Sequence, residues 1–155
     1  MNESANDKSN IVLIGMPGSG KSTVGVILAK QTAREQGARE AWFVDGEGRV
    51  TEGSSSNAWI VTRDGKVVTR QADHGILKGI TRTVVLEAIA AQGLKLEERA
   101  FSLAEAHEAR EAFLTSASQI VLPVVRIDGR PVGNGAPGLI ATALRRDFHR
   151  YAELS

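Results

Sequence analysis

The chain has 155 residues, of which 42% are hydrophobic, so it is long enough for one domain with a core and too short for two. Its 19 Lys and Arg residues balance 18 Asp and Glu residues, which argues against binding to nucleic acid or to an anionic membrane. The absence of cysteine excludes disulfides, thiolate nucleophiles and cysteine metal ligands. No apolar run approaches membrane-spanning length. We therefore expect a cytoplasmic protein that acts on a small molecule.

The N-terminal third of the chain changes from a helical to a hairpin pattern. Residues 1–9 are polar and predict a disordered leader, after which Ile11–Ile14 predicts a short buried strand. A glycine-rich turn follows, and apolar residues then recur at helical spacing as far as Gly37. Two Asp-Gly turns, which begin at Asp45 and Asp64, separate short strand-like runs and predict antiparallel hairpins. The expected strands are 41–44, 50–52, 58–61 and 67–69.

The rest of the chain alternates helical and extended patterns. A helix is expected from Thr81 to Gly93, followed by an extended segment over 94–101. Ser102 and Glu105 have the spacing of a capping box, which predicts a short helix toward Glu111. The last expected elements are strands at 112–115 and 120–127, a turn at Asp128-Gly129, and a helix whose apolar stripe is Ile140, Leu144, Phe148 and Tyr151.

The glycine-rich turn after the first strand fits the phosphate-binding pattern G-x-x-x-x-G-K-[ST] over Gly15–Ser22. In such a loop, backbone N–H groups converge on phosphate oxygens, Lys21 neutralises phosphate charge and Ser22 ligates Mg²⁺. The predicted phosphate or nucleotide ligands are Gly15, Gly18, Gly20, Lys21, Ser22 and Thr23, with Ser22 as a metal ligand when nucleotide binds. The segment 10–30 resembles the P-loop of shikimate kinases. ATP with Mg²⁺ is accordingly an alternative ligand.

A kinase also needs a carboxylate on a neighbouring parallel strand to hold Mg²⁺. Asp45 and Asp128 end apolar runs, but each precedes a glycine between strand-like runs, so a hairpin turn is the favoured interpretation of both. The phosphate loop is therefore expected to be present without the remaining parts of a kinase, and the alternative is that this segment is merely a glycine-rich connection.

Three further motifs occur in order along the remaining four-fifths of the chain, at Val50–Trp59, at Ile76–Arg82, and at Thr115–Ser118 running through Pro123 to Ile127-Asp128-Gly129. With them, the chain from Lys30 to about Tyr151 resembles the C-terminal, larger domain of class IV pyridoxal-phosphate-dependent aminotransferases, and most closely the D-amino-acid transaminases. The resemblance implies an α+β fold, an antiparallel-rich sheet or pseudo-barrel with packed helices. The P-loop strand-loop-helix precedes it, and residues 31–155 are expected to pack with 10–30 as one globular unit. It also implies a phosphate-bearing cofactor and a homodimer.

The resemblance assigns roles to individual residues. Glu52 would keep the pyridine nitrogen of pyridoxal phosphate protonated, which makes the ring an electron sink, and Leu77 would pack on the ring face. The cofactor phosphate would be held by Gly79, Ile80, Thr81, Ser116 and Ala117. A threonine is common in the family where Ala117 stands, so only the backbone N–H of Ala117 is available. Without the resemblance, Glu52 is a surface residue, Thr81 a helix cap, Leu77 a core residue and Ser116–Ser118 a turn.

The residue that class IV enzymes bind covalently to the cofactor, the Schiff-base lysine, lies about eleven residues before the position of Lys30. Counting back without a gap reaches Ser19, and Lys21 lies two residues further on. Lys21 is the catalytic candidate only if it substitutes for that lysine. The family's smaller N-terminal domain also has no counterpart. The sequence thus indicates a chimeric, truncated aminotransferase-like domain in which transamination is lost. The alternatives are a P-loop module that binds ATP or phosphate, and a folded chimera without activity.

Overall fold

The structure is a computed structural model, which describes residues 11–17, 23–54, 56–71 and 80–154. Within these ranges the chain forms eleven strands in two sheets, together with four helices. The strands are β1 (Ile11–Pro17), β2 (Glu40–Val44), β3 (Arg49–Gly53), β4 (Asn57–Val61), β5 (Val67–Thr69), β6 (Leu96–Glu98), β7 (Phe101–Ser102), β8 (Glu111–Ser116), β9 (Ile120–Val124), β10 (Arg126–Ile127) and β11 (Arg130–Pro131). The helices are α1 (Thr23–Glu35), α2 (Ile80–Ala91), α3 (Leu103–Glu108) and α4 (Leu139–Leu154).

The first sheet has six strands in the order β11-β10-β1-β2-β3-β7. β1 lies inside this sheet and pairs in parallel with both β2 and β10. Parallel neighbours need a crossover connection, and α1 supplies it between β1 and β2. The strand expected at Ile11–Ile14 is therefore confirmed, extends to Pro17, and belongs to the same sheet as the hairpin that follows it.

The second sheet has five strands in the order β6-β5-β4-β8-β9, and all its pairs are antiparallel except β5 with β6. The hairpins expected around Asp45 and Asp64 form as β2–β3 and β4–β5. Asp128 and Gly129 have φ of 51° and 76° in the turn between β10 and β11. The interpretation of Asp45 and Asp128 as turn residues is therefore confirmed.

The two sheets and the helices form four layers. A core between the sheets contains Trp42, Ile60 and Leu114, with other residues of β3 and β8–β10. A second core lies between the second sheet and the helices α2 and α4, and a smaller one lies between α1 and β2. Because side chains alternate along a strand, Ile60 on β4 faces the other sheet while its neighbours Trp59 and Val61 face the helices.

The predicted capping box is confirmed at α3. The hydroxyl of Ser102 accepts a hydrogen bond from the N–H of Glu105 at 3.1 Å, and the Glu105 carboxylate accepts one from the N–H of Ser102 at 2.8 Å. The prediction of one strand over 120–127 is wrong. The chain crosses between the sheets at Val125, so that β9 belongs to the second sheet and β10 to the first. Both halves contribute apolar residues to the core between the sheets, Leu122 and Val124 from β9 and Ile127 from β10, and Val121 of β9 packs toward the helices.

Candidate cofactor site

Several strands of the fold end at one edge of the second sheet. Asn57, the first residue of β4, pairs with Thr115 near the end of β8. Trp59 pairs with Thr69, the last residue of β5. β3 ends at Gly53, and the N–H of Gly53 donates to the carbonyl of Ser56 at 2.8 Å just before β4 begins. The segments that carry Glu52 and Ser116 therefore reach the same edge.

Glu52 lies at an irregularity of β3. Val44 pairs with Val50 and Trp42 with Gly53, so β3 has one residue more than β2 between these pairs. Such a bulge re-aims side chains and recurs next to functional sites. The Glu52 side chain is buried, with a residue exposure of 5%, and takes part in an interaction. A surface role for Glu52 is thus excluded by its burial.

A second buried carboxylate, which the sequence analysis did not single out, supports the turn after Glu52. Glu40 accepts hydrogen bonds from the N–H groups of Ala41 at 3.0 Å and Ser54 at 3.2 Å, and from the hydroxyls of Ser54 and Ser56, the latter at 3.0 Å. Gly53 packs so closely here that a Cβ atom would overlap the Ser56 hydroxyl. The one sequence signal of these hydrogen bonds is that a charged residue, Glu40, begins the otherwise apolar strand β2.

The helix α2 begins at Ile80, as the phosphate-site assignment requires, and Thr81 is half-buried in its first turn. The first N–H groups of a helix have no partner inside the helix, so they are available to an anion. Leu77 and Gly79 lie outside the described residues.

Arg82, next to Thr81, is the largest buried cation of the site region, with 1% exposure. It donates to the Thr69 hydroxyl at 3.1 Å, to the carbonyl of Arg70 at 2.7 Å and to the Glu98 carboxylate at 3.2 Å. Burial lowers the pKa of Arg82, and the hydrogen bond and charge of Glu98 oppose this shift. Arg82 was part of a motif in the sequence analysis but had no role there.

The turn that contains Ser116 and Ala117 is held from both ends. The Ser116 hydroxyl accepts from the N–H of Gln119 at 3.0 Å. Ile120 has φ of 62°, a left-handed conformation that strains a β-branched residue. The Arg145 guanidinium donates to the carbonyls on either side of Ile120, those of Gln119 at 3.3 Å and Val121 at 2.7 Å. Arg145 therefore stabilises the strained end of the turn.

The predicted phosphate loop is described only at its two ends. Gly15 lies in β1 and Thr23 is the first residue of α1, whereas Gly18, Gly20, Lys21 and Ser22 lie outside the described residues. The strand registers place Gly15 and Glu52 level with Phe43, on opposite sides of β2. Two strand spacings, about 10 Å, separate them. β1, the strand that precedes the predicted loop in the sequence, therefore lies two strand spacings from Glu52.

The described residues contain neither a membrane-spanning helix nor a group of metal ligands. No helix within the described ranges is long and apolar enough to cross a membrane. No three His, Cys, Asp or Glu side chains of the described residues are grouped as metal ligands would be.

Comparison with solved structures defines the fold as that of the class IV aminotransferases. The branched-chain amino acid aminotransferase of T.th., in complex with N-(5'-phosphopyridoxyl)-L-glutamate, superposes with a TM-score of 0.83 and 32% identity. The match covers 94% of this chain and 52% of that one.

Comparison of sequences gives the same family. The model of the family described as amino-transferase class IV matches residues 21–127. The D-alanine aminotransferase of Listeria monocytogenes is 40% identical over 125 residues, which are 81% of this chain and 43% of that protein. That of Staphylococcus aureus is 38% identical over 130 residues, 84% of this chain and 45% of that protein. This chain belongs to the class IV aminotransferase family, and it spans less than half the length of these two relatives.

The same matches bear on the expected boundary near Lys30. The family match begins at Lys21, inside the predicted phosphate loop. The structural match leaves 6% of the chain outside it, less than the segment 10–30 alone represents. α1 thus lies within the family match and the structural match takes in at least part of the segment 10–30, and these matches give no support to a kinase origin of this segment, to nucleotide binding or to a chimera.

Proposed function

We propose that this chain is a pyridoxal-phosphate-binding domain of D-amino-acid-aminotransferase type. In this proposal, the phosphate group of the cofactor is held between the start of α2 and the Ser116–Ala117 turn. The single observation that carries the proposal is the meeting of these segments with the buried Glu52 at one edge of the second sheet. Membership of the family supports pyridoxal phosphate as the ligand.

The donor groups suit a phosphate. The first N–H groups of α2, at Ile80 and Thr81, have no partner within the helix and lie at the positive end of its dipole. The hydroxyls of Thr81 and Ser116 and the N–H of Ala117 supply further donors. The solved structure of the T.th. enzyme with pyridoxamine 5'-phosphate, which superposes with a TM-score of 0.82, supports a ligand of this kind.

Glu52 has a separate role in the proposal. A buried carboxylate that faces a pyridine nitrogen favours the protonated ring, because a cation next to a carboxylate is stabilised more strongly where water is excluded. When bound, pyridoxal phosphate supplies an electron sink for reactions at the α-carbon of an amino acid. Glu40 holds the Ser54–Ser56 turn and so keeps β3 and Glu52 in position.

We further propose that the 155-residue chain does not complete transamination by itself. It spans less than half of its curated relatives, and orienting an amino acid against the cofactor needs groups on both sides of a cleft. Ungapped counting also puts Ser19, not a lysine, at the covalent attachment position. Lys21, two residues further along the chain, is the lysine that we propose as its replacement.

Binding is best tested with pyridoxamine 5'-phosphate, which needs no covalent attachment to lysine. Saturable binding to the purified chain is expected by isothermal titration calorimetry. Loss of a hydroxyl in Thr81→Val or Ser116→Ala should weaken it by about fivefold. Thr83→Val is the matched control, because Thr83 lies on the same helix and is exposed. No saturable binding, or an equal loss in Thr83→Val, would contradict the proposed site.

Covalent attachment and turnover are tested separately. Pyridoxal phosphate is added to the parent chain and to Lys21→Ala, and the visible spectrum of bound cofactor is recorded. A band present in the parent and lost in Lys21→Ala assigns the attachment to Lys21. Incubation with D-alanine and a 2-oxo acid is expected to give no transfer of the amino group, and lysine-dependent transfer would overturn the proposed loss of activity.

A further inference from the structure

We propose that Arg82, Trp59 and Thr115 form a positioning chain that sets the spacing between the start of α2 and the Ser116–Ala117 turn. This inference rests on the proposed function, in which these two segments hold one phosphate. Each member of the chain contacts the next, and its two ends are the sequence neighbours of the proposed phosphate ligands Thr81 and Ser116. None of the three is proposed to touch the cofactor.

The first contact ties α2 to the second sheet. The Arg82 guanidinium donates to the hydroxyl of Thr69 at the end of β5, and that hydroxyl in turn donates to the carbonyl of Ala58 on β4 at 2.9 Å. Further bonds to the carbonyl of Arg70 and to Glu98 fix the guanidinium in its plane. Since a planar fork is held at several points, Arg82 leaves the first turn of α2 little freedom to slide along the sheet.

The second contact joins Arg82 to Trp59. The guanidinium carbon lies 5.3 Å from the centroid of the Trp59 ring, within the range of a cation–π interaction. The Trp59 ring is also stacked on the ring of Phe113 on the neighbouring strand β8, with 5.4 Å between the ring centroids and an interplanar angle of 11°. Trp59, Arg82 and Phe113 are all at most 1% exposed. A close-packed interior has no room for the ring to shift alone.

The third contact reaches the other phosphate segment. Nε1 of Trp59 donates to the hydroxyl of Thr115 at 2.9 Å, although the two residues are 56 positions apart in the sequence. Both are buried, so loss of the acceptor would leave the indole N–H without a partner in the interior. Thr115 is followed directly by Ser116. A displacement of Arg82 would therefore displace the Ser116 turn through two buried contacts, Arg82 with Trp59 and Trp59 with Thr115.

The arrangement explains why buried polar groups are present in this core. Packing alone would be served by apolar side chains, and a buried cation costs free energy through desolvation. Here the polar contacts fix one relative position of α2 and β8, as buried polar groups do when they select one packing among several. The donors proposed to meet one phosphate are then already spaced before the ligand arrives, which lowers the cost of binding.

The mechanical part of the inference is tested without ligand, by amide hydrogen exchange in Thr115→Val. This variant keeps the shape of the side chain and removes the acceptor of Trp59. Exchange at Val84 and Val85, whose amides close the first turn of α2, is expected to rise at least about fivefold relative to Ala90 and Ala91. Thr62→Val is the matched control, because it removes a threonine hydroxyl that accepts from the N–H of Lys66 beyond the far end of β4. A uniform rise along α2, no rise, or the same pattern in Thr62→Val would overturn the link.

The functional part is tested by comparing pyridoxamine 5'-phosphate with pyridoxamine, which lacks the phosphate. Thr115→Val and Arg82→Lys are expected to weaken binding of the phosphorylated ligand by about fivefold and to leave pyridoxamine binding unchanged. Trp59→Phe, which keeps a ring but removes the donor, should reproduce Thr115→Val. An equal loss for both ligands would mean a merely structural role and overturn the inference. Failure of the parent chain to bind either ligand would overturn the proposed function, and the positioning role with it, whereas the exchange experiment would still decide the contact between α2 and β8.

Discussion

The two helical layers of the molecule are held by different kinds of contact. Over residues 27–35, whose side chains the structure describes, α1 packs on the first sheet through Ala29 and Ala33, and Phe43 is the only large apolar residue of that cluster. Two large apolar side chains of α1, Ile27 and Leu28, are 57% and 51% exposed. On the other side of the molecule, α2 and α4 bury Ile89 and Leu144 against the aromatic rings of the second sheet.

The segments of the proposed site are accordingly held in position in two different ways. The segments that carry Thr81 and Ser116 are fixed by tightly packed side chains and buried polar contacts. The segment that leads toward Lys21 is fixed chiefly by the backbone pairing of β1 with β2 and β10. The proposed phosphate contacts therefore depend on the core, whereas the placement of β1 depends on the sheet.

The largest expected effect tests the contrast directly, because the same substitution is available in both layers. Leu144→Ala on α4 removes a fully buried side chain and should lower the free energy of unfolding by about 3 kcal/mol. Leu28→Ala on α1 should change it by less than about 0.5 kcal/mol. Urea unfolding monitored by tryptophan fluorescence measures both. Equal costs would show that the α1 face is covered in solution.

A smaller effect is expected at the cap that anchors α4. The buried carboxylate of Glu111 accepts from the N–H groups of Ile140 and Ala141, both at 3.1 Å, at the positive end of the helix dipole. Glu111→Ala should cost about 2 kcal/mol, and Glu111→Gln, which keeps an acceptor but no charge, about half of that. Glu108→Gln on the exposed surface is the control for loss of charge. An effect of Glu108→Gln as large as that of Glu111→Gln would contradict the capping role.

The smallest effect concerns Asp45, which joins the β2–β3 hairpin to Arg70 after β5. Burial by itself would raise the pKa of Asp45, but the N–H groups of Arg49 and Glu47 and the guanidinium groups of Arg70 and Arg49 outweigh it and lower the pKa. A lowered pKa in the folded state stabilises the protein above the pKa of the unfolded chain. This contribution, up to about 1 kcal/mol, is lost as pH falls below about 4.

The pH experiment compares urea unfolding of the parent and Asp45→Asn at pH 7 and at pH 3. The parent should be the more stable protein at pH 7, and the difference should shrink at pH 3, because the Asp45 carboxylate of the unfolded chain takes up a proton below about pH 4 whereas the folded one, with its lowered pKa, resists protonation. A difference that stays constant or grows with acid would show that Asp45 acts through turn geometry and not through its charge.

The local elements were predictable because their causes are close together in the chain. The Asp-Gly turns at Asp64 and Asp128, and the capping box of Ser102 with Glu105, each act within a few residues, and all three formed as expected. The family was also accessible from the order of three motifs, and the comparisons confirmed it. A short motif by itself was less informative, since the phosphate-loop pattern received no support as a kinase feature.

The sequence by itself determined most strands and helices, the aminotransferase family and the residues proposed to meet the cofactor. Only the tertiary structure decided that the apolar run 120–127 divides between two sheets, since Val124 and Ile127, on either side of the crossing, are both buried apolar residues of the core between the sheets. It likewise decided that Glu40, Arg82 and Glu111 are buried. Charged residues have no burial signal of their own. Their partners come from elements distant in sequence, as Ala141 does for Glu111, and folding alone brings them together.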